Sequence, residues 1–103
     1  GSQAEVRLLR RLGEWGLPAP VTQHEVRAPD GCFVARVDVA WPEARVAVEY
    51  EGVRHHAARA VDHDERRYAA VRALGWRVAT ADKLDLLPGA ARLHDLLAAW
   101  LTP

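Results

Sequence analysis

The stretch from Phe33 to Glu51 constrains the fold more than any other part of this 103-residue chain. Residues Phe33 to Trp41 alternate, with Phe33, Ala35, Val37, Val39 and Trp41 on one face and Arg36 and Asp38 on the other, the period of a half-buried strand. Pro42-Glu43-Ala44 turns the chain, and Arg45 to Glu51 reads as a second strand in which Val46, Val48 and Tyr50 oppose Ala47, Glu49 and Glu51. A turn centred on Glu43-Ala44 sets the register, with Asp38 opposite Glu49 and Arg36 opposite Glu51. Directly opposed residues hold their Cβ atoms roughly 5 Å apart, and like charges there are destabilising. Two facing carboxylates therefore need a compensating charge. A divalent cation is one, since Mg²⁺ takes carboxylate oxygens and keeps waters for chemistry.

The segments on either side supply two more acids. Ala4 to Trp15 carries Leu8, Leu9, Leu12 and Trp15 at helical spacing, with Gly16-Leu17-Pro18 as its stop, and Glu5 falls on the same stripe. Val21 to Ala28 reads as a strand ended by Pro29-Asp30-Gly31. Gly52 to Val61 has no clear period and reads as a loop holding His55-His56. Asp62 to Leu74 is expected to be a helix whose inward stripe is Asp64, Tyr68, Val71 and Leu74, with Gly75 capping its end. Trp76 to Thr80 is a short strand. After Pro88-Gly89, Leu93, Leu96, Leu97, Trp100 and Leu101 define a closing amphipathic helix. The order helix, three strands, helix, strand, helix predicts an α/β fold with a mixed central sheet flanked by helices.

Each candidate has a plainer reading. Glu51 pairs with Arg36 across the hairpin as readily as it joins a site. Glu5 and Asp64 suit the first turn of a helix, where the dipole favours an acid, and Asp64 also has Arg66 and Arg67 near it in sequence. His56 suits a proton acceptor near neutral pH, whereas His55 reads as an ordinary loop residue. A zinc site from His55, His56, His63 and an acid lacks cysteines at ligand spacing. Cys32 is the only cysteine, which excludes an internal disulfide.

Half the residues are hydrophobic and 27% charged, the balance of one ordinary globular domain spanning residues 1–103, with Gly1-Ser2 as a scar of an expression tag. The net charge is zero, so strong non-specific attraction to nucleic acid is not expected unless charge is segregated by surface. No apolar run reaches bilayer length and nothing resembles a signal peptide, which predicts a cytoplasmic protein without membrane partners.

The runs Arg36-Val37-Asp38-Val39-Ala40-Trp41-Pro42 and Val46-Ala47-Val48-Glu49-Tyr50-Glu51-Gly52, then His55-His56, Asp64-Glu65-Arg66-Arg67 and Leu74-Gly75-Trp76-Arg77-Val78, resemble the very-short-patch-repair endonucleases of the PD-(D/E)XK superfamily. A related group of uncharacterised bacterial endonuclease-like domains is more similar still. The resemblance runs from Glu5 to about Thr80. It implies a restriction-endonuclease-like αβββαβ core with a closing C-terminal helix, and a metal-dependent endodeoxyribonuclease acting through a metal-activated water. Under that resemblance Asp38 is the hallmark metal-binding aspartate, Glu49 the second acid and Tyr50 the variable position. Glu51 stands where the lysine of that element is usual. His56 is the general base, Asp64 the acid of the helical element and Glu5 the first-helix acid.

The expected assignment follows. Asp38, Glu49, Glu51 and His56 are catalytic, and Asp38, Glu49, Glu5 and the carbonyl of Tyr50 hold Mg²⁺ or Mn²⁺. Arg54, Arg66 and Arg67 contact DNA, and Asp64 and Arg36 support the site. Expected partners are DNA, a fused or separate specificity domain, and a second copy of the chain. The alternative is a degenerate nuclease fold that binds DNA, or a protein-interaction module of a restriction or toxin–antitoxin system with exposed Trp41 or Trp100 as its contacts.

Overall fold

The computed structural model describes residues 3–51 and 58–102, with side chains in the second helix from His63 onward. Arg54 and the His55-His56 pair lie outside the described residues. The elements run α1 (Gln3–Glu14), β1 (Val21–Arg27), β2 (Phe33–Trp41), β3 (Val46–Tyr50), α2 (Ala58–Ala73), β4 (Arg77–Ala81), a 3-10 turn (Lys83–Leu86) and α3 (Arg92–Leu101). One sheet holds the four strands in the order β1-β2-β3-β4. The first three are antiparallel neighbours, and β4 joins β3 in parallel. A parallel neighbour requires a crossover, and α2 provides it. This is the mixed α/β architecture that the sequence pattern predicts.

The hydrophobic stripes explain the layering. Leu8 and Leu12 of α1 and Leu93 and Leu97 of α3 pack against Val39, Trp41, Val46, Val48, Ala79 and Ala81 on one side of the sheet. Tyr68 and Val71 of α2 pack against Val26, Ala35, Val37, Ala40, Ala47 and Val78 on the other. Two cores thus share one sheet. Burying an aliphatic side chain of this kind contributes about 1.5–3 kcal/mol, so both helical layers are held mainly by these contacts. Gly75 ends α2 with φ +90, a left-handed conformation that favours glycine.

Three expectations are corrected. The second helix begins at Ala58, so the last part of the segment read as a loop is helical. Trp41 is no exposed contact residue: it is 6% exposed, and its indole N–H donates to the carbonyl of Pro18 at 2.7 Å. Finally, β2 does not keep one face throughout. Ala35 and Val37 pack with α2, whereas Val39 and Trp41 pack with α1 and α3. The switch falls at Asp38. There β1–β2 pairing is interrupted between Thr22↔Val39 and His24↔Val37, and the intervening Gln23 takes φ +50. A non-glycine residue in the left-handed region is uncommon, and here it marks the point where the sheet changes which layer it serves.

Candidate active site

The β2–β3 register is Trp41↔Val46, Ala40↔Ala47 and Val39↔Val48, and just beyond it the Asp38 carboxylate comes within hydrogen-bonding reach of the Glu49 side chain. Asp38 is half-buried, and its Oδ2 accepts the main-chain N–H of Tyr50 at 2.9 Å. Glu49 is 4% exposed. Burial pushes its carboxyl up, and the hydrogen bond and charge of Asp38 add to this. Asp64 raises it further and Arg67 opposes, leaving the pKa raised to about 8. Glu49 therefore keeps its proton to a higher pH than an ordinary carboxyl does. The other buried acid among the described residues behaves in the opposite way. Burial raises Asp85 too, but Arg92 and the Asp82 amide outweigh it and leave the carboxyl below its ordinary value. Asp85 has a structural answer to its charge within the chain, whereas Glu49 is only partly answered.

That partial answer is Arg67 on α2. Its guanidinium donates to Glu49 Oε1 at 2.9 Å and the Arg36 carbonyl at 3.2 Å, and stands 3.4 Å from Asp64 Oδ1. It also lies over the ring of Tyr68, 5.2 Å from the centroid. One arginine thus ties the sheet to α2. The Glu49 carboxyl thus has Arg67 on Oε1 and a hydrogen bond with the Asp38 side chain.

The other predicted residues that are described take the following places. Glu5, on α1, accepts a hydrogen bond from Gln23 Nε2 at 3.1 Å, so the unusual backbone at Gln23 carries the side chain that holds Glu5. Tyr50 packs against the α1/α3 core and contributes its amide to Asp38. Glu51 is half-buried, and its amide pairs with the Ala81 carbonyl at 2.7 Å. Arg36 is exposed, and no Arg36–Glu51 ion pair forms among the described residues. Arg66 is exposed on α2, and the groove beside it is also lined by Arg36, Arg67 and His63. No group of three His, Cys, Asp or Glu side chains in ligand geometry occurs among the described residues.

Sequence reasoning missed one polar group. Tyr68, read only as a core residue, is 2% exposed, and its hydroxyl has no hydrogen-bond partner among the described residues. Burial, then Glu49, Asp64 and Glu51, push its pKa upward. The signal available was its place one helical turn after Asp64, which puts both on one face.

No family model matches the chain. Over 77 residues it is 38% identical to uncharacterised proteins from two strains of Mycobacterium tuberculosis. That match covers 74% of this chain, which spans only 27% of those proteins. Among solved structures, the catalytic domain of the homing endonuclease I-Bth0305I superposes with a TM-score of 0.60 at 22% identity, covering 97% of this chain and 88% of that domain. The layering, the mixed sheet and this superposition together identify the restriction-endonuclease-like fold.

Proposed function

We propose that the chain is the catalytic module of a divalent-metal-dependent endodeoxyribonuclease, with its site on the Asp38–Glu49 pair. One observation carries this reading: two carboxylates meet on adjacent strands of a restriction-endonuclease-like fold, where burial and Asp38 raise the Glu49 pKa despite the Arg67 ion pair. The donor set fits Mg²⁺ or Mn²⁺, because hard cations prefer oxygen ligands and Mg²⁺ is commonly held by one or two carboxylates plus substrate phosphate. When bound, such a cation neutralises charge on the phosphate and lowers the pKa of a nearby water.

The protein's own groups do the rest. The Tyr50 amide fixes one Asp38 oxygen and thereby orients the other. Glu49 gives up its proton when positive charge arrives. Arg67 steadies Glu49 from the α2 side and supplies a cation for charge developing on the phosphate. Glu51 and the Tyr50 carbonyl lie at the end of β3, next to the pair, where they complete the donor set. Glu5 on α1, held by Gln23, is the further acid of this reading, and Asp64 keeps Arg67 in position. His56 takes the proton of the attacking water, and Arg54, Arg66 and Arg67 bind phosphate. One P–O bond forms to the water oxygen as the ester P–O bond breaks, and the leaving oxygen takes its proton from solvent water. The chain spans about a quarter of the length of the curated relatives it matches, and this reading assigns target choice to a fused or separate specificity domain.

The test is plasmid cleavage with Mg²⁺, Mn²⁺ or EDTA, comparing wild type with Asp38→Asn. Metal-dependent cutting that disappears in the variant is the expected result. Equal cutting by both proteins would remove Asp38 from the site.

A further inference from the structure

Between the β1–β2 hairpin and α2 lies a groove of about 850 Å³, within the size range of sites that enclose ligands. Phe33, Arg36, His63, Arg66 and Arg67 line it, and Glu25 is the one acid among its lining residues. Glu25 is ion-paired with Arg27 and Arg67 with Glu49 and Asp64, so Arg36 and Arg66 are the exposed arginines that face the groove. The Arg36 and His63 side chains make no hydrogen bond or ion pair with any described residue. The chain as a whole has zero net charge, so the lining of one groove by three arginines is a local arrangement.

Phe33 is the second observation. A large aromatic ring at a hairpin end would ordinarily be buried, yet this one is 56% exposed. The Arg27 guanidinium stands 5.9 Å from its centroid and is itself held by Glu25 and the Gly31 carbonyl. The ring is therefore braced but open. Cationic side chains beside an exposed aromatic ring are the elements of a single-strand binding track, where phosphates meet arginines and bases stack on the ring. A base inside a duplex has both faces covered by its neighbours, so only an unpaired base can use Phe33.

We propose that this groove takes an unpaired segment of DNA strand, with its phosphates along Arg36, Arg66 and His63 and a base stacked on Phe33. Arg67 lines the groove and also bonds Glu49, so the segment leads directly to the acid pair. The inference rests on the DNA-hydrolase reading for its choice of nucleic acid. It assigns to that site a substrate with a frayed, flapped or extruded strand.

The experiment is fluorescence anisotropy of a short fluorescein-labelled DNA strand, alone and annealed to its complement, with the full chain in EDTA. Phe33→Ala, Phe33→Trp and Arg36→Ala are compared, with circular dichroism melts of each; both positions are exposed, so the fold is expected to persist. The free strand should bind about tenfold more tightly than the duplex. Phe33→Ala should lose about tenfold, and Phe33→Trp should recover it. Arg36→Ala should lower the slope of log K against log salt by about 0.7. Equal or tighter duplex binding, an unaltered Phe33→Ala, or no binding would each overturn the proposal. Because EDTA suppresses metal-dependent hydrolysis, the two readings fail separately. Plasmid cutting without groove binding would remove the groove alone, and groove binding without cutting under any metal would remove the hydrolase.

Discussion

The amide of Tyr50 donates to Oδ2 of Asp38 across the β2–β3 hairpin, between residues twelve apart in sequence. This bond separates two roles of the aspartate. Asparagine at position 38 retains an oxygen to accept the amide, whereas alanine leaves a part-buried N–H unpaired. Urea denaturation should show Asp38→Ala less stable than Asp38→Asn by about 1–3 kcal/mol. Both should lose cleavage by on the order of a thousandfold, the equivalent of several kcal/mol of lost charge stabilisation. Equal stability of the two variants would mean that the amide finds water instead.

Glu49 makes the metal-free protein pH-sensitive in a definite direction. Its folded pKa of about 8 lies above its ordinary value of 4.5, for reasons of burial and then Asp38. Between those values the folded chain keeps a proton that the unfolded chain has lost, so stability falls as pH rises through this window. The contribution is fully present below the unfolded value and gone above the folded one. The slope should be on the order of 1 kcal/mol per pH unit. Glu49→Gln, with no proton to lose, should remove this component when unfolding is followed in EDTA at a series of pH values. Parallel profiles for the two proteins would refute the shift.

Metal binding should share this linkage with the opposite sign. A cation at the Asp38–Glu49 pair must displace the Glu49 proton, so Mn²⁺ affinity should rise by up to about tenfold per pH unit below the folded pKa. Calorimetric titration near pH 7 in buffers of different ionisation enthalpy should register release of about one proton per ion. Affinity independent of pH would point to a site elsewhere.

Tyr68 offers a test in which stability is expected not to fall. Its buried hydroxyl has no partner among the described residues, and an unsatisfied buried polar group costs about 1–3 kcal/mol. A phenylalanine ring would fill the same space without that cost. Thermal melts of Tyr68→Phe should match wild type or rise, and a marked fall would reveal a hydrogen bond to the hydroxyl.

The parts of this molecule legible in the sequence are those where turn chemistry and periodicity agree. Pro42-Glu43-Ala44 and the alternation on either side give the β2–β3 register, and hence the meeting of Asp38 and Glu49, without reference to tertiary structure. The inward stripe of α2 is legible for the same reason, since Tyr68 and Val71 are buried where the helical period puts them. The start of α2 is not, because Ala58-Arg59-Ala60-Val61 offers neither a capping side chain nor a distinct apolar face. The change of face at Asp38 is hidden too. Alternation presumes an uninterrupted strand, and glutamine gives no warning of a positive φ at position 23. The groove depends on Phe33 and His63 meeting across the fold, which no local pattern encodes.

The mixed sheet also orders events in time. Asp38 and Glu49 lie within one local hairpin, a contact that closes quickly because little chain entropy is lost. Arg67, eighteen residues beyond Glu49, arrives only as α2 docks, and the parallel β3–β4 pairing must wait for that crossover. Local closure of the hairpin is therefore expected to bring the two carboxylates together ahead of their guanidinium. Stopped-flow refolding should then run faster in mildly acidic solution or with a dication present, and a rate independent of both would refute that order.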